Sequence, residues 1–217
     1  MKNWFLLMVL VGMLATTACG PDSSSQQEGQ AQTDVTTPAP APAESLEIVP
    51  GKYVGLIQAG FSEADIIAAY GQENVRREEF KIGEGETTPA TTVFPDTDKE
   101  LVVLWKAEAP FERMEQVRIE KADSPWRTTQ DVKIGTTLEQ LIILNGKEFN
   151  FHGFEWDYAG LAKDWNGGFL HDKLEVFLAA ENPEAIYPHL LGDELFSSGN
   201  LKARAADLLV DVMVIRF

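Results

Sequence analysis

The chain has one cysteine, Cys19, and three histidines, His152, His171 and His189, among 217 residues. A lone thiol makes no intrachain disulfide and no cysteine-rich metal site. The histidines are scattered, with no His-x-x-x-His pair and no H-E-x-x-H frame to set two ligands on one helix face. Ser197-Ser198 lacks the G-x-S-x-G elbow that exposes a serine nucleophile. The one glycine-rich candidate for a phosphate loop, GEGE at 83–86, carries two carboxylates that repel phosphate. Basic residues are also few: 18 Lys and Arg stand against 34 Asp and Glu, a net charge of −16. That sign disfavours nucleic acid and anionic headgroups as partners. With no nucleophile, metal or cofactor frame, the expectation is a protein that is not an enzyme and holds no cofactor.

What is present begins with MKNWFLLMVLVGMLATTAC: a basic Lys2, an apolar run from Trp4 to Ala15, and small residues up to Cys19. This is the layout of a secretory signal peptide. Its apolar run is shorter than the roughly 20 residues a membrane-spanning helix needs. Thr16-Thr17-Ala18-Cys19 resembles the lipobox of bacterial lipoproteins, with Thr16 where Leu, Val or Ile is usual. The resemblance implies a signal peptide over 1–19, lipidation of Cys19 and attachment to a membrane, each buried methylene adding about 0.8 kcal/mol. Gly20 and Pro21 follow in place of the inner-membrane retention aspartate, which implies the outer membrane of the cell envelope. Residues 20–45 are rich in Ser, Gln, Thr, Ala and Pro. Such a segment buries too little apolar surface to offset its ordering entropy and reads as a disordered tether.

Residues 46–217 are long enough for one domain with a real core, and they hold 30 of the acids and 17 of the bases. IQAGFSEADIIAAYG, 57–71, aligns without gaps on VKIGTTLEQLIILNG, 132–146. Both copies predict a capped helix. Ser62 and Thr137 are the N-caps, Asp65 and Gln140 complete capping boxes, and Ile66, Ile67, Leu141 and Ile142 form the buried face. Gly71 and Gly146 are expected as left-handed C-caps. TTVFP, KELVVLWKA and EQVRIEK follow the first helix; GFEWDYAG, KLEVFLAA and LLVDVMVIRF follow the second. The expected fold is therefore α+β: a tandem repeat, about 46–122 and 123–217, of a short helix and an antiparallel meander, with the helices on one sheet face. ENPEAIYPHLLGDELFSSGN reads as an irregular loop with a short helix.

The tandem G-[TS]-[TS]-helix-G pattern resembles, at the level of fold, β-lactamase inhibitory protein and the small lipoprotein of the outer-membrane β-barrel assembly complex. The run IGTTL, LNG and GF-x-WDY-x-G resembles a group of uncharacterised bacterial envelope lipoproteins. These resemblances imply an interaction module whose partner is another envelope protein; they transfer no contact residues.

The densest stretch is GFEWDYAGLAKDWNGG, 153–168. One reading is a core strand: Phe154, Trp156 and Tyr158 on one face, Glu155 and Asp157 on the other, then an Asn-Gly turn at 166–167. The other is an exposed platform of Trp156, Asp157, Tyr158 and Trp165, suited to a protein hot spot or a sugar ring. His171-Asp172 meeting Glu155 or Asp157 would make an acid/base or metal group. Glu155, Asp157, Asp164 and Asp172 also contain the carboxylate pairs that an envelope hydrolase or glycan-binding protein would use.

Overall fold

The computed structural model describes residues 45–83, 85–186 and 188–217. The leader, Cys19 and residues 20–44 of the tether lie outside them. In chain order the described elements are β1 (Glu47–Val49), β2 (Tyr53–Val54), β3 (Ile57–Gln58), α1 (Glu63–Tyr70), β4 (Val75–Gly83), β5 (Glu86–Val93), β6 (Leu101–Trp105) and β7 (Met114–Ile119). These are followed by β8 (Arg127–Thr128), α2 (Leu138–Asn145), β9 (Asn150–His152), β10 (Leu161–Ala162), β11 (Leu174–Ala180), β12 (Leu195–Ser197), α3 (Leu201–Ala205) and β13 (Leu208–Arg216). The architecture is α+β, mostly antiparallel sheet with few, short helices.

Local chemistry explains where α1 and α2 begin. Ser62 Oγ accepts from the Asp65 N–H at 3.3 Å while the Asp65 carboxylate accepts from the Ser62 N–H at 2.9 Å. Thr137 and Gln140 form the same reciprocal pair at 3.3 and 2.9 Å. Each box satisfies two N–H groups that a helix start leaves unpaired. Ile66 and Leu141 are fully buried, and Ile67 and Ile142 half-buried, as the pattern requires. Gly146 is the left-handed cap expected of it, at φ 77° and ψ 0°. Gly71 is not: at φ 86° and ψ 145° it leads into a 3-10 turn at Gln72–Asn74, and the Asn74 amide donates to the Tyr70 carbonyl at 2.8 Å. A side-chain donor there serves a carbonyl at the helix end.

The main sheet is antiparallel throughout, in the order β10-β11-β13-β7-β6-β5-β4. β7 pairs with β13, Val117 opposite Ile215, and so joins the strands that follow α1 to those that follow α2. Val93, Leu101, Val103, Trp105, Val117, Ile119, Met213 and Ile215 alternate onto one face and belong to the main core. α1 is fastened to this face through Glu63. Its buried carboxylate accepts from both Arg77 nitrogens that reach it and from Thr91 Oγ1 at 2.7 Å; Thr91 in turn accepts from the Trp105 indole N–H at 3.0 Å. Burial works to raise the Glu63 pKa, but the Arg77 and Thr91 hydrogen bonds and the Arg77 charge outweigh it, and the net shift is downward.

On the opposite face Arg118 lies over the rings of Phe80 in β4, at 5.2 Å, and Phe177 in β11, at 5.5 Å. The two rings are thus within about 11 Å of each other. β4 and β11 are five steps apart in the sheet, which in a flat sheet would separate them by about 24 Å at ~4.8 Å per step. Inward-leaning side chains cover only part of that difference, so the sheet is strongly curled and this second face is concave. Buried Leu104, Gln116 and Val214 line it.

Two elements differ from the sequence expectation. β4, VRREEFKIG, is a nine-residue edge strand that apolar alternation does not announce; its charges suit an edge exposed to water. FEWDY is not a strand. Only Phe154 makes a bridge, to Leu191, and the chain then turns, with Ala159 N–H donating to the Trp156 carbonyl at 3.0 Å and Leu161 N–H to Tyr158 at 2.9 Å. The segment expected to be loop and short helix, 181–200, contains a 3-10 turn at Pro183–Ile186 and β12 paired with β9, and α3 begins just after it, with Asn200 as its N-cap.

Candidate functional site

The loop 153–160 owes its shape to three backbone requirements. A Cβ on Gly153 would collide with the Gly192 carbonyl, because segment 190–192 runs alongside. Gly160 has φ +73°, and a Cβ there would collide with the Leu178 carbonyl of β11. Between them Glu155, a non-glycine residue, is held at φ 63°. Such a conformation persists only where its surroundings impose it. Alternation of side chains is lost at that residue, and the two large rings after it point into water: Trp156 is 60% and Tyr158 56% exposed. Asp157 between them is exposed as well. The Tyr158 ring lies 5.7 Å from that of His152 of β9, tilted by 45°, and Lys163 lies 6.0 Å from it. Exposed Leu195 sits directly opposite His152 in the β9–β12 pair.

Trp165 does not join this surface. It is 1% exposed, meets Phe149 edge-on at 4.9 Å and donates its indole N–H to the Leu174 carbonyl at 2.8 Å. The expected four-residue platform is therefore corrected to Trp156, Asp157 and Tyr158. The burial of Trp165 has a local cause. Asn145, at the end of α2 and fully buried, donates to the Lys147 and Trp165 carbonyls at 2.9 and 3.0 Å, while its Oδ1 accepts from the Leu170 N–H at 3.2 Å. Asn166 and Gly167 adopt the left-handed backbone of an Asn-Gly turn, closed by the Gly168 N–H on the Trp165 carbonyl at 2.9 Å. That turn folds the loop inward onto Asn145, and the indole goes with it.

Two depressions adjoin the aromatic loop. An open one of about 730 Å³ is lined by Phe154, Glu155, Trp156, Asp157, Ala159 and Ile186. A second, of about 360 Å³, shares Phe154, Ala159 and Ile186 and continues to Phe177, Val212 and Arg118 on the concave sheet face. Arg118, Phe177, Val212 and Ile186 did not stand out in the sequence. The available signal was the apolar character of both faces of LEVFLAA and LLVDVMVIRF, which marks strands covered on two sides.

The expected acid/base grouping does not assemble around His171. Its Nδ1 accepts from the Lys173 N–H of its own loop at 3.0 Å, and its ring faces the Gly51 turn. Ser198 Oγ is committed to the Phe149 N–H at 3.0 Å. Among the described residues no three His, Cys, Asp or Glu side chains converge on a metal-sized site, and no helix is long and apolar enough to cross a membrane.

No family model matches the chain, and no curated protein matches it. Among solved structures it is similar to the uncharacterized protein yfeY from Escherichia coli, at 16% identity and a TM-score of 0.46, over 77% of this chain and 97% of that one.

Proposed function

We propose that this chain is a lipid-anchored, non-catalytic binding module of the bacterial cell envelope, attached to the outer membrane through Cys19, which recognises another envelope protein with the surface around Trp156. The observation that carries the reading is the exposure of Trp156 and Tyr158 on a loop braced by Gly153, Glu155 and Gly160. Rigid aromatic side chains left in water are the usual anchors of a binding hot spot, and left-handed backbone at a non-glycine residue concentrates at functional sites. The leader, with its lipobox-like end, supports export and anchoring. Two helices that start with the same kind of capping box, each followed by antiparallel strands of one sheet, support a domain built from two repeats with its helices on one sheet face.

The test is photo-crosslinking in living cells of full-length protein carrying the crosslinker at Tyr158. The reading expects one recurrent envelope protein, lost when Trp156→Ala is added. A Cys19→Ser variant should lose acyl label and membrane attachment. Absence of any protein crosslink from the anchored wild type rejects the recognition surface, and unchanged acylation in Cys19→Ser rejects the anchor. A glycan-binding reading draws on the same ring flanked by Glu155 and Asp157. It expects cell-wall or capsular sugars to shift Trp156 emission, and a flat response over a broad panel rejects it.

A further inference from the structure

We infer that the two adjoining depressions together take one extended polypeptide segment of the partner, a segment that alternates apolar and cationic side chains. The inference rests on the binding-module reading above and adds the chemistry of what is bound. Phe154, Ala159 and Ile186 belong to both depressions, so apolar lining is continuous from Trp156 to Phe177 and Val212. Ala179 and Ala180 on β11 widen the second depression by being small. The exposed charged residues that line the two depressions are carboxylates. Glu155 and Asp157 stand at the outer end and Asp211 at the inner. The single base there, Arg118, is held by Glu120 at 2.7 Å and covered by Phe80 and Phe177.

Asp211 reaches the tract through a break in the sheet. Phe177 pairs with Val212 and Leu178 with Val210, which leaves Asp211 as the extra residue of a bulge. A bulge re-aims the side chain it carries, and here it adds a solvent-exposed carboxylate to an otherwise apolar wall. An acidic partner would meet three carboxylates along the lining, against one exposed base, Lys163, beside Tyr158 at the outer end. An apolar segment without cations would leave them facing the interface unpaired, at a cost in desolvation. An alternating segment fills the floor with one set of side chains and pairs the rim with the other.

Among the described tryptophans only Trp156 is exposed; Trp105, Trp126 and Trp165 are 2%, 0% and 1% exposed. Emission changes on binding that are lost in Trp156→Phe therefore report on this site. The experiment titrates detergent-solubilised full-length protein with three twelve-residue peptides: alternating Lys and Leu, alternating Glu and Leu, and alternating Lys and Ser. The expected result is a blue shift with the Lys–Leu peptide alone, a several-fold weaker affinity at higher salt, roughly threefold weaker binding in Asp211→Asn and roughly tenfold in Phe177→Ala. Asp211 is exposed, so Asp211→Asn tests the inference even if Phe177→Ala fails to fold. Equal binding of the Lys–Ser or Glu–Leu peptide, or unchanged Lys–Leu affinity in Asp211→Asn, overturns it. If no peptide binds while the Tyr158 crosslink in cells persists, the inference falls and the binding-module reading stands; if both are absent, both fall.

Discussion

Replacing Trp165 with alanine tests the division of the 153–168 stretch into a surface part and a core part. The side chain is 1% exposed, packs edge-on against Phe149 and donates to the Leu174 carbonyl. Truncating a buried tryptophan costs about 3–5 kcal/mol through lost transfer energy and the cavity left behind. The carbonyl of Leu174, on β11, loses its indole donor at about 1 kcal/mol more. A total of about 4–6 kcal/mol lowers the melting temperature by roughly 8–24 °C for a domain of this length. Urea denaturation followed by far-UV circular dichroism at pH 7 reads the change directly. Trp156→Ala, the paired control, removes a ring that is 60% exposed and should stay within about 0.5 kcal/mol of wild type. A cost below about 2 kcal/mol for Trp165→Ala, or equal costs for the two variants, would refute the assignment.

Glu63→Gln removes the charge that holds Arg77 while keeping the side chain's shape. Charged hydrogen bonds are worth about 1.5–3 kcal/mol each; with the Arg77 side chain 64% exposed the net loss should be about 1–2 kcal/mol. The Glu63 pKa is lowered from its ordinary 4.5, so its contribution is complete above that value and fades as pH falls through the lower folded-state value. The variant should therefore be destabilised at pH 7 and approach wild type below pH 4.5; an equal deficit at pH 7 and pH 3 contradicts the linkage. Gly160→Ala meets both a positive φ and the Leu178 carbonyl, and should cost about 2–4 kcal/mol. Its secondary effect should be a loosened aromatic loop, seen as faster proteolysis between Phe154 and Leu161. Unchanged stability and protease resistance would show that the loop is not braced there.

The parts of this protein legible in its sequence are those decided by neighbours a few residues apart. Ser62 with Asp65 and Thr137 with Gln140 specify helix starts because each pair closes within one turn. Asn166-Gly167 specifies its turn because both residues tolerate left-handed backbone. Strands β6, β11 and β13 announce themselves by apolar runs. β4 escaped notice because an edge strand needs few apolar residues, and its pairing to β5 is a matter of register rather than composition.

The candidate site depended on contacts that no local pattern encodes. Trp156 and Trp165 stand nine positions apart in similar acidic, glycine-flanked settings, yet one is in water and the other in the core. What separates them is distant in sequence: Asn145 pulls the Trp165 loop inward, while segment 190–192 and Leu178 crowd Gly153 and Gly160 and turn Trp156 out. The depressions from Trp156 to Phe177 likewise bring together residues of the 153–160 loop, β7, β11, the 183–186 turn and β13, which are distant in sequence. Sequence by itself determined the short-range hydrogen bonds and the charge balance, both of which are local sums. Tertiary structure alone decided which aromatic rings meet water, because burial is set by what packs against a side chain and not by the residues beside it in the chain.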